Sequence, residues 1–345
     1  MPEYVITARA PDGDRFGDEP GPSLFLEVPD DAQELLPSHE IDWKDWFRKV
    51  VALCPATPDP SGAERGDLLV FVHGYDNDVR IVLQRQRILR SDLPQKGFRG
   101  GLVSFDWPSG NKALAYLEDR HRAKLTAMQL VSDCIRPFAS LQAPDCPINV
   151  HVLAHSTGAY VIREAFDDAD DHRAIAAANW TVSQLVLIAG DVSGASLSAG
   201  NASSESLYRH CLRLTNYSNP YDAVLQISNA KRAGLAPRVG RVGLPDDAPP
   251  KALDVNCGEY WQQMMATRDP ATIIGYPSHS WHVGDPVFTQ DLVETLKGDL
   301  DRSAFPTRER LVENRFRLVA PAAPPVAVAV VAAAPTAPRR SRRKS

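Results

Sequence analysis

One segment, Ile148 to Phe166, constrains the fold of this chain more than any other. Its sequence, INVHVLAHSTGAYVIREAF, begins as an apolar run and continues as a pattern that predicts a helix. A strand that turns sharply into a helix places the corner residue, here Ser156, at the carboxyl edge of a sheet with its side chain exposed. Bulky side chains two positions before or after such a corner would clash, and Ala154 and Gly158 occupy those positions. The segment therefore predicts a buried strand, a tight turn carrying a serine, and a helix.

The rest of the chain repeats this alternation. Eight segments read as strands, with helical patterns between most of them: EYVITARA, SLFLEVP, LLVFVHGY, GLVSFDWP, INVHVLAHS, SQLVLIAG, CLRLTNYS and KALDVNC. Helices are predicted over Asn77–Leu93, over most of Lys112–Leu141, and in the closing segment FTQDLVETLKG. The alternation predicts an α/β fold with a mostly parallel central sheet of about eight strands and helices on both faces.

Charge and cysteine content exclude several classes of protein. The formal net charge of the 345 residues is -5, and the basic segment RRSRRKS at the end leaves the remainder near -10, so bulk charge does not favour nucleic acid. The segment MPEYVITARA predicts no signal peptide, and no apolar run is long enough to predict a membrane span. Five scattered cysteines without a CxxC pair argue against a disulfide framework and a structural zinc, and favour a cytoplasmic location.

The amino-acid composition of the sequence changes after about Arg317. The last segment, VAPAAPPVAVAVVAAAPTAPRRSRRKS, is rich in alanine, proline and valine and has a basic end. Such low-complexity composition favours disorder. We therefore expect one domain over residues 1–317 and a disordered tail over residues 318–345.

Ser156 is interpreted as a nucleophile, although a serine at this place is also a good helix cap. Acyl transfer requires backbone N–H groups that point at the developing oxyanion. Thr157, directly after the nucleophile, is expected to supply one of them. The loop in LLVFVHGYDND is expected to supply the other from Tyr75, since Gly74 lets the backbone bend there. We expect His73 to support that loop rather than to catalyse.

A serine nucleophile needs a base and an acid that orients it. The segment GYPSHSWHVGDP offers His279 and His282 as the base. The two histidines could also suggest a metal pair, but no third ligand is evident, so no metal is predicted. Asp222 and Asp191 each follow a predicted strand and can serve as the acid. The usual place after the penultimate strand favours Asp222, whereas Asp191 could instead hold the loops together.

Five blocks together resemble a known group of proteins: VFVHGYDND, VSFDWPSGNKALAYLEDR, AHSTG, YSNPYDAVL and HSW before the closing helix. The chain is similar over Leu68–Gly298 to the α/β-hydrolase superfamily, and within it to the bacterial group catalogued as α/β-hydrolases of unknown function. The resemblance implies the α/β-hydrolase fold, with Ser156 as nucleophile, Asp222 as acid and His279 as base. The chain departs from the pattern in having alanine at the first elbow glycine and Thr157 where methionine is frequent.

These observations favour a serine hydrolase that acts on small-molecule esters or other acyl substrates without a cofactor. Two other interpretations remain open. One is a hydrolase-like fold that serves as a non-catalytic interaction module; the other is acyl transfer, or thioester or amide hydrolysis, on the same residues. We expect the segment DWPSGNKALAYLEDRHRA to line or cover the acyl pocket.

Overall fold

The computed structural model describes residues 1–58, 64–109, 116–139, 148–176, 180–230, 236–298 and 301–322. The strands are β1 Glu3–Asp12, β2 Arg15–Val28, β3 Thr57–Pro58, β4 Glu64–Val72, β5 Gly101–Asp106, β6 Ile148–His155, β7 Val182–Ile188, β8 Cys211–Ser218, β9 Ala252–Asn256, β10 Arg308–Val312 and β11 Arg315–Leu318. The α-helices are α1 Trp43–Val51, α2 Val79–Gln95, α3 Tyr116–Gln129, α4 Arg136–Ala139, α5 Gly158–Asp171, α6 Arg173–Ala176, α7 Ala202–Arg209, α8 Ala223–Ala230, α9 Val239–Val242, α10 Gly258–Met265, α11 Pro277–Ser280 and α12 Pro286–Lys297. Short 3-10 helices cover Pro37–His39, Gly194–Leu197 and Pro270–Thr272, and a π-helix over Leu130–Ile135 joins α3 to α4.

The strands form one central sheet in the order β10-β11-β9-β8-β7-β6-β4-β5-β1-β2. From β11 to β1 every pairing is parallel, and β10 and β2 close the two edges in antiparallel orientation. The two-residue β3 pairs with β4 outside this path. Because the inner strands are parallel, the loops that follow β4, β6 and β8 all emerge at the same edge of the sheet.

Helices cover both faces of the sheet, and the side chains of β4 show how the faces are divided. Leu68, Val70 and Val72 pack in one core with residues of α1, α3, α5 and α7. Leu69 and Phe71, which alternate with them, pack in a second core with residues of α2, α10 and α12. Successive side chains of a strand point to opposite faces, so a continuous apolar run is what a doubly covered strand requires.

The predicted fold class is confirmed, and all eight predicted strands are present. The expected count of about eight strands was too low, because the described residues place ten strands along the sheet, together with the short β3. The missed strands β10 and β11 have the sequences RERLV and RFRL, in which arginine and glutamate interrupt the apolar pattern. They form a hairpin whose turn includes Asn314, with a positive φ of 56°.

Two other predictions fall partly outside the described residues. Within the predicted helix over Lys112–Leu141, α3, the π-helix and α4 are present, and residues 110–115 and 140–147 are not described. The last strand reaches Leu318, and Val319 N donates to Thr307 O at 2.8 Å, so the chain stays attached to the sheet just beyond residue 317. Residues 323–345 are not described, so the disordered tail stays a prediction.

Candidate active site

Ser156 lies at the corner between β6, which ends at His155, and α5, which begins at Gly158. Its φ is +56°, in the left-handed region that residues with a side chain rarely adopt. The corner is held to the next strand because Ser156 N donates to Ile188 O at 3.0 Å. A Cβ at position 158 would lie 2.5 Å from Val72 O, so the turn requires glycine there. A strained strand-to-helix turn of this kind is typical of serine nucleophiles. The side chain of Ser156 was expected to be exposed, but it is only 5% exposed, because the loop after β4 packs against it.

The loop after β4 passes directly against this serine. A Cβ added at Gly74 would lie 2.6 Å from Ser156 Cβ, so the absence of a side chain lets the two backbones approach. Tyr75 follows in this loop and is half-buried, and Thr157, on the other side of the serine, is 2% exposed. The two residues predicted to supply the oxyanion N–H groups are therefore placed on the two segments that meet at Ser156.

A buried hydrogen-bonded network supports the loop after β4. His73 Nδ1 donates to Gly74 O at 2.8 Å, and its Nε2 lies 2.9 Å from Asp106 Oδ1. Asn77 Nδ2 donates to the same Gly74 carbonyl at 2.9 Å. Arg9 Nε lies 3.0 Å from both carboxylate oxygens of Asp106. His73 therefore joins the loop after β4 to Asp106 at the end of β5, which supports a structural role for it.

Asp106 at the centre of this network is fully buried. Burial favours its neutral form, but the charge of Arg9 and the hydrogen bond from His73 outweigh burial and hold the pKa of the Asp106 carboxyl below its ordinary value. Asp106 therefore remains the anion that pairs with Arg9 at neutral pH.

Asp222 and His279 are brought together on the other side of the serine. His279 lies in the short helix α11, and its Nδ1 is 2.7 Å from Asp222 Oδ2. The second carboxylate oxygen of Asp222 accepts from Leu225 N at 2.9 Å, so the carboxylate is fixed from two directions. The loops themselves are joined, because Asn219 Nδ2 donates to Ser278 O at 2.9 Å. Asp222 is fully buried and His279 is 6% exposed.

The pair also lies close to the serine corner. The rings of His155 and His279 are 4.8 Å apart, and His155 Nε2 lies 3.3 Å from His279 O. His155 is the residue directly before Ser156, so the pair of Asp222 and His279 lies beside the serine corner.

The two alternative candidates have other surroundings. Asp191 N donates to Ser156 O at 2.9 Å, but the Asp191 carboxylate accepts from Ser228 Oγ at 2.9 Å and lies 3.3 Å from Arg238 Nε. Asp191 thus joins the serine corner to the segments around residues 228 and 238. Neither ring nitrogen of His282 has a hydrogen-bond partner among the described residues. Its ring lies 4.8 Å from that of His155, the same distance as the ring of His279, and 5.3 Å from that of Phe288, so the contact with Asp222 and not the distance to His155 distinguishes His279.

Sequence reasoning missed two residues at this site, Arg85 and His155. Both are buried, and Arg85 Nη1 lies 3.2 Å from His155 Nδ1. Arg85 could have been noticed because it falls on the apolar stripe of α2, among Val82, Leu89 and Leu93, where a charged residue is unusual. His155 was passed over because it lies inside the serine motif as a variable position.

A metal cluster and a membrane-spanning helix are both absent from the described residues. No three His, Cys, Asp or Glu side chains in the described ranges are grouped as a metal site would need. None of the helices described here combines the length and the apolar run that a membrane crossing requires.

A mostly parallel sheet covered by helices on both faces, with a serine at a strained strand-to-helix corner, defines an α/β hydrolase. Sequence comparison agrees with this class and gives the family. The chain belongs to the family described as alpha/beta hydrolase of unknown function (DUF900), which matches residues 61–254, more than half of the chain. The matched segment contains Ser156, Asp191 and Asp222 and ends before His279.

Solved structures resemble the chain only distantly. Esterase B from Lactobacillus rhamnosis is 10% identical, with 70% of this chain and 85% of that chain covered and a TM-score of 0.34. A cutinase-like protein from Cryptococcus sp. is 14% identical, with coverages of 70% and 95% and a TM-score of 0.33. A lipase-esterase related protein from Clostridium acetobutylicum is 12% identical, with coverages of 67% and 93% and a TM-score of 0.30. No curated protein sequence matches the chain significantly.

Proposed function

We propose that the protein is a serine hydrolase of carboxylic esters, with Ser156 as nucleophile, His279 as base and Asp222 as the orienting acid. His279 Nε2 takes the proton of Ser156 Oγ as that oxygen attacks the ester carbonyl carbon. The backbone N–H groups of Tyr75 and Thr157 stabilise the oxyanion. His279 then gives the proton to the leaving alcohol, and an acyl-enzyme forms. Water activated by the same histidine releases the acid and restores Ser156.

The observation that carries this proposal is the 2.7 Å contact between His279 Nδ1 and Asp222 Oδ2 beside the Ser156 corner. A carboxylate accepts only, so Nδ1 carries a hydrogen and Nε2 of the neutral ring has its lone pair available for a proton. The surroundings of His282 support the same choice, because none of its ring nitrogens contacts a carboxylate of the described residues. Asp191 is engaged by Ser228 and Arg238, which supports a structural role for it.

Exposed apolar side chains around the acid and the base support an acyl substrate. Tyr221 is 47% exposed, Ile227 58% and Tyr276 66%. Tyr221 and the segment that carries Tyr276 adjoin, since the Tyr221 ring stacks at 5.6 Å on that of Trp261, whose Nε1 donates to Pro277 O at 3.2 Å. Apolar side chains beside a nucleophile favour an uncharged acyl or alkyl group over a charged one.

The experiment is labelling with a fluorophosphonate probe, followed by turnover of short-chain and long-chain esters. We expect stoichiometric labelling at Ser156, none in Ser156→Ala, and ester turnover that Ser156→Ala abolishes. A thioester, an amide and an acyl acceptor in the same assay separate ester hydrolysis from the other reactions on this site. A folded wild-type protein that neither labels nor turns over any of these substrates would instead support the non-catalytic interaction module.

The choice of base is tested by a matched pair of variants. We expect His279→Ala to abolish turnover and labelling, since it removes the group that takes the Ser156 proton. His282→Ala should leave a substantial fraction of both, because no carboxylate of the described residues orients its ring. The opposite pattern would transfer the role of base to His282.

A further inference from the structure

A buried guanidinium lies behind the proposed base and pairs with no carboxylate of the described residues. Arg85, in α2, is 4% exposed. Three other arginines of the same helix do have acidic partners: Arg80 pairs with Glu34, and Arg87 and Arg90 pair with Glu3. Burial lowers the pKa of Arg85 to about 10, and the more distant charge of Asp76 offsets part of this effect. Arg85 therefore remains charged at neutral pH, at a desolvation cost that no ion pair offsets.

The N–H groups of Arg85 join the serine corner to the loop that carries the base. Nη2 donates to Ile274 O at 3.0 Å and to Ser280 Oγ at 3.2 Å, on the two sides of His279 in sequence. Nη1 lies 3.2 Å from Nδ1 of His155, next to Ser156. One rigid, planar group thus holds both segments at once, which is a geometry that the guanidinium fork suits.

The contact with His155 extends to the base itself. A guanidinium can only donate, so His155 Nδ1 accepts and the ring hydrogen lies on Nε2. That nitrogen is 3.3 Å from His279 O and donates to it. Burial, together with the charges of Arg85 and the neighbouring histidines, holds the pKa of His155 well below its ordinary value, which keeps the ring neutral. The chain of hydrogen bonds therefore runs from Arg85 through His155 to the backbone of His279.

The base loop is shaped to lie against this guanidinium. Gly275 has a φ of +103°, and a Cβ there would lie 2.8 Å from Ser280 Oγ and 3.1 Å from Arg85 Nη2. A side chain at this position would be strained and would separate the loop from the arginine. The glycine lets the backbone carbonyl of Ile274 reach Nη2.

We propose that Arg85 is a positioning residue for the base: with His155 it fixes the backbone of His279 relative to Ser156. This inference rests on the proposed function. Arg85 contacts no reacting atom, and its effect is on the geometry in which His279 Nε2 reaches Ser156 Oγ. A displacement of about 1 Å between reacting groups costs on the order of 100-fold in rate, so the position of this loop matters to turnover.

The test is Arg85→Lys, with Arg87→Lys as the matched control on the same helix. Lysine keeps the charge but has a single nitrogen, which cannot reach both His155 and Ile274 with fork-spaced N–H groups. We expect kcat on a soluble short-chain ester to fall about tenfold to 100-fold with KM within about twofold. The rate of fluorophosphonate labelling should fall by the same factor while its final stoichiometry stays complete. Arg87→Lys should behave as wild type.

The final stoichiometry separates positioning from folding. A merely structural arginine would lower the fraction of protein that labels and leave the labelling rate of the remainder unchanged, which would overturn the proposal. Arg85→Lys with wild-type kcat and labelling rate would also overturn it. The proposed function fails by a different result, namely turnover that survives in Ser156→Ala.

The role of His155 is tested by a double-mutant cycle of Arg85→Lys and His155→Phe. If both residues act through the carbonyl of His279, the loss of kcat in the double variant is smaller than the product of the two single losses. Losses that multiply fully would show independent effects and would overturn the connection through His155.

Discussion

The two loops on either side of Ser156 are each held by a buried arginine, but the two arginines have different partners. On the side of the loop after β4, Arg9 Nε lies 3.0 Å from both carboxylate oxygens of Asp106. On the side of the base, Arg85 donates to a carbonyl, a hydroxyl and an imidazole nitrogen, all of them neutral. One arginine is in a compensated ion pair, and the other is a cation in contact with dipoles only.

This difference indicates what each arginine contributes. Removing one member of a buried ion pair leaves the other charge uncompensated, so Arg9 and Asp106 are expected to be required for folding. Arg85 loses its hydration without gaining a carboxylate, so its net contribution to the free energy of unfolding is expected to be small. We therefore expect the ion pair of Arg9 and Asp106 to stabilise the fold, and Arg85 to fix the geometry of the loop that carries His279.

The largest loss of kcat is expected at Asp222, which contacts the proposed base directly. Asp222→Asn replaces the acceptor of His279 Nδ1 and leaves the ring in the wrong tautomer, at a cost in kcat on the order of 10⁴ by analogy with an unrelated serine protease. Asp191→Asn should retain most activity, because its carboxylate contacts Ser228 and Arg238. Steady-state kinetics on both variants decide the matter: activity lost only with Asp191→Asn would place the acid after β7 instead of β8.

The next effect is a difference in the free energy of unfolding between variants of the two arginine sites. Asp106→Asn removes the buried carboxylate partner of Arg9 and leaves it only the exposed Asp18 at 3.4 Å, so the free energy of unfolding should fall by about 3–5 kcal/mol. Arg85→Met removes a buried charge that has no anion and should cost clearly less. Urea unfolding followed by circular dichroism measures both, with the m-value as a check on two-state behaviour. An Arg85→Met variant that is destabilised as much as Asp106→Asn would contradict the small contribution to stability expected for Arg85.

A smaller effect concerns pH. Burial and nearby positive groups hold the pKa values of His155 and His282 well below the ordinary value for histidine. The charges of Arg85 and His279 lower the pKa of both residues. His282 also lowers the pKa of His155, and Arg268 lowers that of His282. In the unfolded chain histidine titrates at about 6.5, so below this pH the unfolded state binds more protons and stability falls. Each histidine contributes a slope of up to about 1.4 kcal/mol per pH unit. The pair of Arg9 and Asp106 should persist to lower pH, because the pKa of Asp106 is itself lowered.

The check is urea unfolding between pH 7.5 and 5 in wild type and His282→Leu. Replacing His282 should remove part of the loss of stability on acidification, up to about 1.4 kcal/mol per pH unit, since leucine binds no proton. His172→Leu serves as the control, because His172 is exposed and should not change the slope. If the slope of the free energy of unfolding against pH were unaltered in His282→Leu, His282 would not be a source of the loss of stability at low pH.

Local features of the site could be predicted from the sequence, and long-range contacts could not. The Ser156 corner was predictable because the run before it, the small residues around it and the helix after it lie within one segment. The contacts of Arg85 were not, because they join α2 to residues 70 and 195 positions away. The pattern of α2 places Arg85 on the apolar stripe, but what packs on that stripe depends on how the helix lies on the sheet. For the same reason, the spacing of His279 and His282 in the sequence could not show that only His279 contacts Asp222.

The antiparallel strands at the two edges of the sheet have a consequence for solubility. An open edge strand presents unpaired N–H and C=O groups that can pair with another sheet, which is a common route to aggregation. β2, at one edge, contains Pro20 and Pro22 and pairs with β1 through irregular register, and proline offers no N–H to an approaching strand. β10, at the other edge, has the charged sequence RERLV, in which four of the five residues are exposed. The features that hid β10 from sequence reasoning, its charges and its short length, are also those that discourage sheets of separate molecules from joining edge to edge.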